Sequence, residues 1–202
     1  MGQEVQRAER AGVDSFHLDI MDGHYVPNLA LTPHHIEALR PYTHLPFSVH
    51  LEVEEPDWIL RAFNPLGAEM VIVQADTCPQ PLKTFALIRS QDARVGLALN
   101  LSQPLGSIRD LLTELDLLLI LGVQPGFGGQ PLQPQTTPRV AAARELVEKE
   151  DLDLPIGVDG GIDPANAGEL IKAGASLLIV GTALFQADDM AMAVEAIKGA
   201  AE

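Results

Sequence analysis

Seven short apolar runs of β-type residues alternate with helix-like segments along 202 residues, and polar residues gather at the C-terminal ends of those runs. Alternation of this kind predicts an α/β chain with a parallel sheet covered by helices. Chemistry at the C-terminal strand ends favours, within that class, a (β/α) barrel over a doubly wound open sheet. The open sheet would ordinarily place a nucleotide loop after its first strand, and the glycines here come late.

The first run, FHLDI at 16–20, sets the pattern. Alternate side chains of a strand point the same way, so His17, Asp19 and Met21 share one face while Phe16, Leu18 and Ile20 share the other. A polar pair facing inward is costly unless it is hydrogen-bonded, charged for a purpose or bound to metal, so His17 and Asp19 predict partners. The second run, FSVHLEV at 47–53, contains His50. MVIVQA at 70–75 carries Gln74 and is followed by Asp76; RVGLAL at 94–99 is followed by Asn100; LLLILGV at 117–123 is followed by Gln124. IGVD at 156–159 ends on Asp159, and LLIVG at 177–181 closes the series. Helices are expected near 34–40, 56–63, 81–90, 104–113, 138–150, 164–173 and 188–199. Pro33, Pro56, Pro81, Pro104, Pro138 and Pro164 sit near their starts, where a missing N–H costs least.

Composition narrows the partners. A formal net charge of -15, from 28 Asp+Glu against 13 Lys+Arg, argues against nucleic acid or an anionic membrane, and no basic cluster offsets it. With 47% hydrophobic residues, the chain is long enough to bury one core and short for two, so a single domain over 1–202 is expected. Cys78, the single cysteine, excludes an intrachain disulfide, suits a reducing compartment and is expected to be inert. No apolar run is long enough to span a bilayer. The start MGQEVQRAERAG lacks the features of a signal peptide, so the expected location is cytoplasmic.

Three glycine clusters follow late strands: PGFGG at 125–129 with Gly126, Gly128 and Gly129, DGG at 159–161 with Gly160 and Gly161, and VGT at 180–182 with Gly181 and Thr182. Each alone reads as a tight turn. All three at successive strand ends imply a phosphorylated small molecule, held by backbone N–H groups that glycine lets approach closely.

HLDIMDGHYVPN at 17–28, VHLEVEEP at 49–56, VQPGFGGQ at 123–130, VDGGI at 158–162 and VGTALF at 180–185 resemble, in order and spacing, the hallmarks of the ribulose-phosphate 3-epimerases. The resemblance covers nearly the whole chain. It implies a (β/α)8 TIM barrel of the ribulose-phosphate-binding type and an isomerase that interconverts ribulose 5-phosphate and xylulose 5-phosphate. It also implies that His17, Asp19, His50 and Asp159 hold one divalent metal ion, with Asp19 and Asp159 as the acid/base pair. Gly126, Gly128, Gly129, Gly160, Gly161, Gly181 and Thr182 would surround the substrate phosphate, and Met21 would shield the reacting carbon.

Those residue types suit the chemistry. Inverting a carbon beside a carbonyl needs two carboxyl groups flanking a planar enediolate, one to remove a proton and one to return it. A divalent cation would stabilise the developing oxygen charge, and mixed nitrogen and oxygen ligands admit zinc, iron, manganese or cobalt.

The chain also departs from the family pattern. It lacks an opening strand reading roughly PSILSADF, so a barrel without its first strand is expected, with exposed edges at 16–20 and 177–181 and association between copies to cover them. A start codon set too late or a shortened chain is the expected cause. Glu52 stands for a methionine, Gln74 and Asp76 for a histidine and a glutamate, and Leu121 for another methionine. The changed surroundings leave open a phosphorylated ketohexose as substrate, or a non-catalytic member that binds metal or phosphate.

Overall fold

The computed structural model describes residues 1–200. The chain folds as two compact units, Met1–Leu97 and the residues from Ala98 onward. Among the described residues seven strands follow one another in chain order through a parallel sheet, which is α/β architecture of the barrel kind.

The first unit contains α1 (Gly2–Ala11), β1 (Phe16–Met21), α2 (Pro33–Leu39), β2 (Phe47–Glu52), α3 (Pro56–Ala62), β3 (Met70–Gln74) and α4 (Pro81–Arg89), and β4 (Arg94–Leu99) begins in it. Burial along β1 alternates as the sequence requires, with Phe16, Leu18 and Ile20 inside and the residues between them only partly covered. β2 and β3 are almost wholly buried, which is why they read as continuous apolar runs. Val49, Leu51, Val71, Ile72 and Val73 lie at 0% exposure, each worth about 1.5–3 kcal/mol of burial. Pro33, Pro56 and Pro81 each open a helix, as expected from their missing N–H.

The N-terminal strand ends are built for stability. Phe16 and Phe47, the first residues of β1 and β2, pack edge to face at 6.2 Å, and the Arg40 guanidinium lies 3.7 Å over the Phe47 ring. Arg40 also donates to Leu45 O and to the Glu69 carboxylate, which in turn accepts the Phe47 N–H at 2.6 Å.

The outer edge of β1, expected to be exposed along 16–20, is covered at its C-terminal end. The chain after β1 turns back so that Leu31 N donates to Asp19 O at 3.1 Å, and Leu31 and Leu29 form bridges to Ile20 and Asp22. The site half of the strand thereby gains a partner for its backbone, the need that a free edge creates.

The second unit contains β5 (Leu117–Leu121), α5 (Thr136–Lys149), β6 (Ile156–Asp159), α6 (Ala167–Lys172), β7 (Leu177–Ile179), α7 (Thr182–Phe185) and α8 (Met190–Gly199). Leu118, Leu119 and Ile120 of β5 pack with Ile156 and Val158 of β6 beneath Val140, Ala143 and Val147 of α5, all at 0% exposure. The segment expected as a helix at 104–113 is a 3-10 run over Leu105–Glu114. Leu105, Ile108, Leu111 or Leu112, and Leu115 recur every three to four residues, and Gly106 and Ser107 weaken α propensity, so three residues per turn suffices to bury the apolar side. No helix among the described residues is long and apolar enough to cross a membrane.

Candidate active site

β1 and β2 pair in parallel with His17 beside Ser48, Asp19 beside His50 and Met21 beside Glu52. Neighbouring strands lie about 4.8 Å apart, so side chains on one face at these register positions meet. His17 Nε2 lies 3.2 Å and His50 Nδ1 3.3 Å from the same oxygen, Asp19 Oδ1. The two imidazole planes are tilted by 53° with centroids 5.3 Å apart. Three ligand atoms, two nitrogens and one carboxylate oxygen, thus lie within 4.8 Å of one another.

The far side of each imidazole is also held. His17 Nδ1 is 3.0 Å from Ser48 Oγ, whose hydroxyl is directed to Phe16 O at 3.5 Å. With its proton so directed, the Ser48 oxygen is left to accept from His17 Nδ1–H, which steadies the ring from behind. His50 Nε2 is 3.0 Å from Gln74 Nε2 at the end of β3, and both side chains are fully buried. Imidazoles steadied from behind and aimed at one carboxylate oxygen are the arrangement expected of metal ligands. The donor set is one that zinc, iron, manganese and cobalt all accept.

Burial alone would raise the Asp19 carboxyl; the charge and hydrogen-bonding reach of His17 and then of His50 outweigh it and hold Asp19 well below the usual carboxylate range. Asp19 is therefore an anion near neutral pH. Its backbone is fixed by the Leu31 bond.

Around this cluster, loops of the first unit are tied by polar contacts that the sequence alone did not reveal. Asp22 Oδ1 accepts the N–H groups of His24 and Tyr25, and its Oδ2 accepts that of Glu54, which joins the turn after β1 to the one after β2. Tyr25 OH donates to Asp76 at 3.1 Å. Glu52 is buried as the last residue of β2, with Met21 as its register partner.

In the second unit Asp159 ends β6, pairing with Leu121 of β5 and Ile179 of β7, and its carbonyl accepts the Gly122 N–H at 2.6 Å. Gly160 and Gly161 follow with φ of 99° and 72°. A Cβ on Gly161 would collide with the Leu132 backbone, and one on Gly160 with the Val123 side chain, so only glycine fits. Asp163 and Asn166 fasten the turn: Asp163 Oδ1 accepts from Ala165 and Asn166 N–H, and Asn166 Nδ2 donates to Gly161 O. This network occupies residues 163–166, so α6 begins at Ala167 rather than at Pro164.

The PGFGG loop carries Gly126 at φ 107° and is stapled by Gln130 Nε2, which donates to Gln124 O and Phe127 O. Ideal Cβ positions on Gly128 and Gly129 lie 3.7 and 3.8 Å from Thr182 Oγ1. The loop after β5 and the turn after β7 are thus neighbours, with Gly181 exposed immediately before α7. Cys78 is buried in the first unit, and burial pushes its thiol up to about 11, as expected of an inert cysteine.

A family model described as "Ribulose-phosphate 3 epimerase family" matches residues 1–185. The protein named ribulose-phosphate 3-epimerase of Bacillus subtilis is 40% identical over 200 residues, 98% of this chain and 92% of that protein. The one named ribulose-5-phosphate-3-epimerase, chloroplastic, of Arabidopsis thaliana is 39% identical over 203 residues, 98% of this chain and 71% of that protein. Among solved structures, phosphoribosyl anthranilate isomerase from Thermus thermophilus aligns with a TM-score of 0.70 at 16% identity, over 99% of this chain and 93% of that one. A tryptophan synthase α-subunit from Pyrococcus furiosus aligns at 0.68 and 13% identity, over 98% and 92%. Identities that low bear on the fold alone.

Proposed function

Because the chain belongs to the ribulose-phosphate 3-epimerase family, we propose that it interconverts D-ribulose 5-phosphate and D-xylulose 5-phosphate by proton transfer at carbon 3. The chain is an epimerase of carbohydrate metabolism. The observation that carries the specific reaction is the approach of His17 Nε2 and His50 Nδ1 to one oxygen of Asp19 at the C-terminal ends of adjacent strands.

The reaction takes the proton from a carbon beside a carbonyl and returns one to the opposite face, so one group accepts while another donates. Asp19, kept anionic by its two imidazoles, accepts on one face. Asp159, on β6, donates on the other, and the two exchange roles in the reverse direction. Backbone N–H groups of Gly126, Gly128, Gly129, Gly160, Gly161 and Gly181, with Thr182, bind the substrate phosphate. Met21, two residues beyond Asp19 on the same strand face, excludes water from the planar intermediate.

His17, Asp19 and His50, with Asp159 as fourth ligand, would hold one divalent cation. When bound, that cation supplies Lewis-acid stabilisation of the charge that develops on the substrate oxygens.

The test is a panel of ketopentose and ketohexose phosphates given to protein loaded in turn with zinc, iron, manganese and cobalt. Ribulose 5-phosphate is expected to turn over fastest. Faster turnover of a hexulose phosphate would overturn the pentose assignment, and no turnover of any member would overturn the reaction.

A further inference from the structure

Gln74 meets His50 through an amide that can present either of its two ends to the ring. Its Nε2 lies 3.0 Å from His50 Nε2, so with that orientation the amide donates, His50 Nε2 accepts, and the imidazole hydrogen sits on Nδ1, facing Asp19 Oδ1. The Gln74 Oε1 is meanwhile buried without a hydrogen-bond partner, a costly state for an amide oxygen in a fully buried side chain. The two ends of a primary amide have nearly the same shape. Turning it about its last bond places Oε1 against His50 Nε2 and reverses the bond: Nε2–H donates to Oε1 and Nδ1 is bare.

Resting on the metal centre proposed above, the geometry points to Gln74 as a positioning residue that follows the tautomer of His50. Without a cation, the Asp19 carboxylate favours a hydrogen on Nδ1, and the amide presents its N–H to Nε2. With a divalent cation among His17, Asp19 and His50, Nδ1 must offer its lone pair, so the hydrogen leaves Nδ1 to solvent, another is taken up at Nε2, and the amide turns to accept it. No net proton is gained or lost by the ring. A side chain able only to accept would hold the ligand-ready tautomer permanently, and one able to do neither would hold none. The glutamine site thus combines a metal-ready ring with one that is satisfied when the metal is out.

The test follows the ring nitrogens of His50 by nitrogen-15 NMR in chelator-stripped and zinc-loaded parent protein, with zinc affinity read by chelator competition. The stripped protein is expected to carry the hydrogen on Nδ1 and the zinc-loaded protein on Nε2. Gln74→Glu is expected to show Nε2–H in both states, and Gln74→Met to bind zinc about 10- to 100-fold more weakly. If the parent binds zinc but His50 keeps one tautomer throughout, or Gln74→Met binds zinc as tightly as the parent, the inference is overturned while the centre stands. If the parent binds no zinc, both the centre and the inference are overturned.

Discussion

In the proposed reaction Asp19 serves as a base because its surroundings keep it ionised, and the same surroundings would make it a ligand. Asp19→Asn is expected to reduce both metal content and kcat. Asp159→Asn keeps the His17, Asp19 and His50 set and should lower kcat by about 10²–10⁴, the scale of a lost acid or base. Metal analysis beside steady-state kinetics checks the pair, and an Asp159→Asn enzyme with parental kcat would remove Asp159 from the reaction. Asp22 carries a different prediction. Burial raises its carboxyl, but the N–H groups of Glu54, His24 and Tyr25 outweigh that and lower it. A carboxyl lowered on folding contributes stability that is present above its unfolded value, near pH 4, and lost as pH falls through the lower folded one. The thermal midpoint of parent protein should therefore exceed that of Asp22→Asn at pH 7, and the gap should narrow by pH 3; an equal gap at both would contradict the assignment. His17 and Asp19 were legible in the sequence because alternation in a strand is a local property. Ser48 was not, because its contact with His17 depends on β1–β2 register, and Gln74 read as a polar strand end and a departure from a pattern, its approach to His50 hidden until the strands were paired.

The elements were legible where burial dominates. The β2, β3 and β5 runs announced themselves as apolar stretches and ended within two residues of expectation. Short or capped pieces were harder. α7 spans four residues after Gly181, too few for a period to show. α5 starts at Thr136, two residues before Pro138, because the first-turn N–H groups have no helical acceptor and proline loses nothing there. At this scale the turn after β6 is the most constrained feature. Gly161→Ala meets both a φ of 72° and the Leu132 backbone. The sum of left-handed strain and overpacking is about 2–6 kcal/mol. Denaturant unfolding should show that loss, and a variant as stable as the parent would contradict the reading of this turn.

Over the whole molecule, a net charge of -15 repels the doubly charged phosphate that the proposed substrate carries. Screening confines that repulsion to about 8 Å at physiological salt, so binding has to be local, through backbone N–H groups in glycine turns rather than a basic surface. The fold class was readable because strand-end polarity and glycine spacing survive in one dimension. The ties among the strand-end loops, Asp22 to Glu54 and Tyr25 to Asp76, were not, since each joins segments whose approach only the folded chain creates. The central claim is that two carboxylates move a proton at carbon 3. Zinc-loaded protein incubated with ribulose 5-phosphate in deuterium oxide tests it most directly. Xylulose 5-phosphate carrying deuterium at carbon 3 is the predicted result; retention of the original hydrogen, with metal bound and substrate present, would contradict it.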